Sequence, residues 1–292
     1  MNTPESPVAS LAVASHATVE APLSQLAALR DQPMPESAPA LPGRFLRHCD
    51  EQTVVGVRAV LEAIARYPGP RPSFERFGVV GSTCGAGRIS AAQTLAKLPT
   101  GGGVVVSPHV VPQCSLHALA SAVSVGLGMK GPNIGTSGGP HAVSEGLIAA
   151  ISLIGRQDCE GVWLVVTEWA GELLLDATGL PTNDPSCRGL AIAITREADA
   201  GLGLTLHSGS HESGCHESGC HESGCHETAG DWSGDPVGSL AAFAAAVEMC
   251  RSGEVLESWS HRCPWGMEVR IASRRRGVVL DRDRSSPLRE AA

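Results

Sequence analysis

Seven potential metal ligands crowd one short segment. Residues 211–226 read HESGC-HESGC-HESGC-H, which sets His211, His216, His221 and His226 beside Cys215, Cys220 and Cys225. Imidazole nitrogen and thiolate sulfur are the usual zinc ligands. Adjacent Cys-His pairs separated by Glu-Ser-Gly units could wrap a soft or borderline metal. The spacing matches no standard finger or ribbon, and Gly, Ser and Glu cannot build a core. The tract therefore reads first as an expanded tandem repeat in a disordered surface loop. Zinc or another soft ion bound there would be adventitious, and no cofactor is expected.

Nucleophilic chemistry has further candidates outside the repeat. Ser137 and His141 stand at i, i+4 where a helix should begin, so they could form a pair; Ser137 is read as a helix cap. Cys84 lies in the turn Gly81-Ser82-Thr83-Cys84-Gly85-Ala86-Gly87, and Cys114 precedes a helical pattern. Either thiol could be activated by its surroundings, although inert buried cysteine is the commoner arrangement. The glycine-rich turn lacks the Lys-Ser/Thr of a P-loop and the spacing of a dinucleotide fingerprint. It reads as a tight turn that lets backbone segments approach. Glu168 and Glu172 stand near the end of an apolar strand, where a surface or capping role fits better than acid–base work.

The elements that would position these residues follow from periodicity. Ser10–Val19 could form a first strand, and the prolines of 32–42 read as a linker. Val54, Val57, Leu61 and Ile64 make one apolar helical stripe across 50–66, with Asp50 as its N-cap and Pro68-Gly69 as its stop. A buried strand over 77–80 leads into the glycine-rich turn. Val104–Val106 reads as a short strand, 113–128 and 140–154 as helices, and 161–169 as an apolar strand buried on both faces. Segments 190–195 and 202–207 read as a hairpin pair, 235–252 as a helix closed by Gly253, and 267–272 as a last strand. Mixed strands with Ala- and Gly-rich helices favour a layered α/β fold.

Three stretches, in this order, resemble the ketosynthase branch of the thiolase fold. They are Arg44 to Gly87, ending FGVVGSTCGAG; Pro108 to Ile154, containing the Gly128-Met129-Lys130-Gly131-Pro132-Asn133 run; and Gly234 to Gly253 followed by Pro264 to Ser273. The resemblance implies a thiolase-like layered α/β/α fold with a shortened C-terminal half. It also implies a nucleophilic cysteine at the N-terminus of the helix over 140–154, where the helix dipole would favour thiolate. Here that position falls on Gly139 or Pro140, and neither is a nucleophile. Asp235 stands where one family histidine would precede the late helix, and the segment of the other histidine is replaced by the repeat. The expectation is a ketosynthase-like protein with degenerate catalytic residues and no catalytic set of its own; Ser137, His141, Cys84 and Cys114 remain the fallback candidates.

The resemblance further implies a partner: an active ketosynthase subunit or a second copy of this chain, with an acyl carrier protein nearby. Val162, Leu164 and Val166, and the 108–114 stretch, would form the pairing surface. Alternatives are an acyltransferase or condensing enzyme with relocated residues, and a metal-responsive protein acting through the repeat. Bulk properties are compatible with this. The net charge of −8 argues against a nucleic-acid partner, and 42% hydrophobic residues suffice for a core without disulfides or metal. No secretory signal pattern or membrane span is evident, so a cytoplasmic protein with reduced thiols is expected. The expected organisation is an arm and linker over 1–42, an N-terminal half over 43–209, the repeat loop over 210–230, a shortened C-terminal half over 231–273 and a tail over 274–292.

Overall fold

The computed structural model describes residues 9–70, 72–136, 139–156, 158–196, 202–207, 240–252, 258–262 and 267–273. Ser137, Asp235, the 211–226 repeat and the 274–292 tail lie outside the described residues.

The first strand is longer than its apolar core suggested. β1 (Ala9–Pro22) runs fourteen residues and leads through a 3-10 turn into α1 (Leu26–Asp31). α2 (Glu51–Ala65) begins where Asp50 accepts a hydrogen bond from the Thr53 amide at 2.9 Å. It is buried almost all round, because Gly56 lets it close on α5 (Ala118–Leu127): a Cβ there would lie 2.6 Å from Leu119 Cδ1. Arg58 of α2, itself buried, donates to the carbonyls of Arg30, Gln32 and Pro33 and so closes the C-terminal end of α1.

β2 (Phe77–Thr83), β3 (Asn133–Thr136) and β4 (Gly161–Ala170) are parallel, while β5 (Ser186–Thr195) runs antiparallel to β4. With β6 (Leu202–His207), β7 (Ser258–Arg262) and β8 (Glu268–Ser273), they form one eight-stranded sheet in the order β3-β2-β4-β5-β1-β6-β8-β7. Alternate residues of β4 and β5 face opposite layers. Trp163, Val165, Ala191 and Ala193 pack under α2 and α5. Val162, Leu164, Val166, Leu190 and Ile192 pack under α6 (Ala142–Ile154) and α7 (Leu240–Ser252). The result is a helix–sheet–helix layering around two cores, one on each face of the sheet.

Several expectations change. β5 and β6 are not a hairpin: β1 lies between them, with Ala12 opposite Thr195 on one side and Gly203 on the other. Val104–Val106 is not a strand. Gly102–Val105 is a 3-10 turn; its glycines favour tight turning, and no described strand pairs with it. The helix expected over 113–128 forms over a shorter span, α5, and a single helical turn, α4 (Val110–Gln113), precedes it. α3 (Arg88–Gly101) went unpredicted because it buries only Ile89 and contains Pro99, leaving no apolar stripe to read. β7 was also not anticipated.

Candidate functional site

The C-terminal ends of β2, β3 and β4 open toward the start of α6, the position at which the resemblance places a nucleophile. A 3-10 turn, Gly139–His141, joins that region to α6. The helix is firmly seated. Ser82 of β2 donates to the Ala142 carbonyl at 2.7 Å, and Gly146 lies so close to β4 that a Cβ would sit 2.8 Å from Leu164 Cδ1. His141 takes the N-cap position with no side-chain capping bond, and it is exposed. Gly139 and Pro140 bring no nucleophile to this turn, and the partner once considered for His141, Ser137, is outside the described residues.

The two candidate thiols are held in place but not activated. Cys84 follows β2 in a mesh of bonds: its carbonyl accepts from Gln52 Nε2 at 2.7 Å, its amide donates to the Thr167 carbonyl at 3.1 Å, and Thr167 Oγ1 donates to Gln52 Oε1 at 2.8 Å. Burial, with Glu168 nearby, pushes the Cys84 thiol above the ordinary range. Cys114 donates to the Gly87 carbonyl at 3.6 Å, and burial plus the Asp50 carboxylate push it up as well. Both therefore disfavour thiolate at neutral pH. Cys49 is pushed to about 11 by the same two causes.

The acidic residues are structural. Glu168 Oε2 accepts from the Leu240 amide at 3.3 Å, at the N-terminus of α7, and its Oε1 faces Arg188 Nη1 at 3.4 Å. This is the capping role expected for it. Glu172 is exposed. Asp50 does more than cap α2. Its second oxygen accepts from the Gly87 amide at 3.0 Å, which fastens the glycine-rich turn to the helix. Among the described residues no cluster of three or more His, Cys, Asp or Glu side chains could hold a metal, and no helix is long and apolar enough to cross a membrane.

The surface features differ from those expected. Val162, Leu164 and Val166 are not an interface: β4 lies between β2 and β5, and these side chains are fully buried beneath α6 and α7. The exposed large apolar side chains fall elsewhere. Among the described residues they are Leu95 of α3, Val104 (95% exposed) and Val105 of the turn after it, Val111 of α4, Leu116 and Val125 at and on α5, and Leu174 and Leu180. These elements adjoin. α3 packs on the 3-10 turn and α4; Gly179, next to Leu180, sits against the α3 backbone at Ala92 and Gln93; and the Leu116 carbonyl abuts Gly135 of β3. Among the described strands β3 lies at the edge of the sheet. Exposed apolar side chains thus lie on adjoining elements that reach this edge, a band among the described residues. Of the 108–114 stretch proposed for pairing, Val111 belongs to this band. The rest went unread, because exposure does not show in hydrophobic character alone.

No protein-family model matches this chain, and no curated protein matches it. Among solved structures, a chain from the complex of the ketosynthase ApeO with its chain length factor ApeC from Xenorhabdus doucetiae aligns over 90% of this chain and 99% of its own length, at TM-score 0.52 and 14% identity. The ishigamide ketosynthase/chain length factor aligns over 70% of this chain and 69% of that one, at TM-score 0.46 and 15% identity. A beta-ketoacyl synthase from Burkholderia phymatum covers 70% and 65%, at TM-score 0.46 and 17% identity. The chain is ketosynthase-like in architecture, with the thiolase-like layered α/β/α fold of the first of these structures.

Proposed function

We propose that this chain is a non-catalytic, chain-length-factor-like subunit that pairs with an active ketosynthase. The setting would be fatty acid, polyketide or aryl polyene biosynthesis, with an acyl carrier protein delivering the chain. The observation that carries this reading is the set of exposed apolar side chains on α3, α4 and the turn between them, on elements adjoining β3, the edge strand among the described strands. Water-exposed apolar patches of this kind mark protein interfaces, and an unpaired edge strand invites a partner strand. Three further points agree. The helix start offers Gly139 and Pro140 where a nucleophile would stand. The Cys84 and Cys114 thiols are pushed up, which disfavours relocated thiol chemistry. The ApeO–ApeC complex pairs a ketosynthase with a chain length factor, and the matched chain is of nearly this chain's length.

Co-expression with a ketosynthase encoded beside it tests the pairing. The expected result is a heterodimer on size exclusion, lost when Val104 and Val111 are both replaced by Asp. Each of those replacements alone should change folding stability by less than about 0.5 kcal/mol, since both side chains are exposed. A chain that stays monomeric beside such ketosynthases would overturn the proposal. So would a covalent acyl adduct by intact mass after incubation with an acyl thioester, if mutating Cys84, Cys114 or Ser137 removed it. A complex of two copies of this chain through the same band would identify self-pairing instead.

A further inference from the structure

We propose that the cavity between α1, the 32–44 segment and the 3-10 turn Phe45–His48 binds an amphipathic anion, a small molecule with a phosphate or carboxylate head on an apolar body. None of the band's exposed side chains lines the cavity, and this inference does not depend on the pairing reading. Its volume is about 610 Å³, within the range of small-molecule sites. Arg30, Arg44 and Arg47 line it, against the one carboxylate of Asp31. Met34, Leu41 and Phe45 supply apolar wall. Guanidinium pairs the two oxygens of a phosphate or carboxylate in a fixed fork, so such a cluster over apolar side chains suits a charged head with a tail.

Two observations indicate a site prepared for an anion, beside an Arg30 held in the wall, whose Nη2 donates to the Cys49 carbonyl at 3.0 Å and faces Glu51 at 3.4 Å. Arg44 and Arg47 are exposed and have no carboxylate partner among the described residues. Arg44 also holds φ at 62°, the one non-glycine residue with positive φ among the described residues. Glycine suits that conformation better, and strained backbone of this kind gathers at functional sites. The wall opposite is fixed, because buried Arg58 ties down the carbonyls of Arg30, Gln32 and Pro33.

Calorimetric titration of the whole chain with dodecyl phosphate, dodecanoate, dodecyl maltoside and inorganic phosphate, each below any micelle-forming concentration, tests this. One molecule of dodecyl phosphate or dodecanoate should saturate each chain, and whichever binds tighter identifies the head group. The neutral maltoside and the tail-less phosphate should each bind at least tenfold more weakly. The double variant R44G/R47Q should lose at least tenfold in affinity for the anion while unfolding at the wild-type temperature or above, because glycine relieves the backbone at 44. If R44G alters unfolding, R47Q alone, at an exposed side chain, should still cost about threefold. The proposal is overturned by no saturable binding of either anion, by equal binding of the maltoside or of inorganic phosphate, or by unchanged affinity in the variants.

Discussion

Asp50→Asn separates two forces that act on the same buried carboxyl. Asp50 is 3% exposed and receives two backbone N–H groups, Thr53 at 2.9 Å on one oxygen and Gly87 at 3.0 Å on the other. Asparagine keeps one carbonyl oxygen but presents an NH₂ to the second donor. One N–H group is thereby orphaned in a buried place, which costs about 1–3 kcal/mol. If the orphan is Thr53, that figure includes the lost cap, itself worth about 1 kcal/mol. A loss of about 2 kcal/mol, some 30-fold in the folded-to-unfolded ratio, is expected near pH 4. The pH dependence is the sharper reading. Burial raises the folded-state pKa of Asp50, and it outweighs the bonds from Thr53 and Gly87 that lower it. The folded chain then holds its proton at a pH where the unfolded chain, near 3.9, has released it. Wild-type stability from this group is therefore fully present below about pH 4 and is lost as pH rises through the folded value. Asparagine has no such slope, so its penalty should shrink between pH 4 and pH 7. Urea unfolding at several pH values reads this, with buried Trp163 as the fluorescent reporter. A penalty that grows with pH would show that the two amides hold the carboxylate charged, and that burial is the smaller effect.

His16, buried on β1, meets Glu248 of α7 at 2.8 Å, with Arg251 and Arg66 also facing it. Burial holds its pKa below 6.5 despite Glu248. The unfolded state thus takes up the proton first, and stability should fall as pH drops below about 6.5; H16Q should remove that slope in chemical denaturation, and an unchanged slope would refute the assignment. Gly135→Ala would drive a Cβ into the Leu116 carbonyl and within 2.8 Å of the His117 amide, all backbone. It should cost about 3 kcal/mol, a fall of roughly 6–10 °C in Tm by calorimetry; a Tm within 2 °C of wild type would mean that β3 and α5 are not in contact. Cys84 and Cys114 should react with iodoacetamide at pH 7.5 at least tenfold more slowly than a free thiol, followed by intact mass. Fast labelling of either would return it as a candidate nucleophile.

How far the sequence could be read depended on whether an element's cover is local. α2 was legible because Asp50, its apolar stripe and Pro68 all lie within the helix and its flanks, and the helix buries nearly every residue against its own chain. α3 was not, because a helix that buries only Ile89 carries no period. The β5–β6 hairpin reading failed for a related reason. Two neighbouring alternating segments look like a pair, but the Ala-rich β1, far away in sequence, inserts between them. That Gly139 and Pro140 carry no nucleophile was legible from residue identity alone.

Two apolar segments, 162–166 and 104–106, show where such reading stops. The family resemblance puts Val162, Leu164 and Val166 at an interface, and the run of valines puts Val104 in a strand. The structure reverses them. Neighbouring strands and helices cover β4 on every side, so its side chains are interior. The turn at Val104 contains Gly102 and Gly103, pairs with no described strand and leaves that valine 95% exposed. An interior strand and an exposed turn can carry the same residues; they differ in whether the described chain provides the cover. α3 provides almost none for its neighbours. An apolar band exposed among the described residues beside an edge strand would lose its contact with water if a second protein supplied a covering layer, and on the proposed pairing the V104D/V111D pair should abolish assembly while leaving the fold intact.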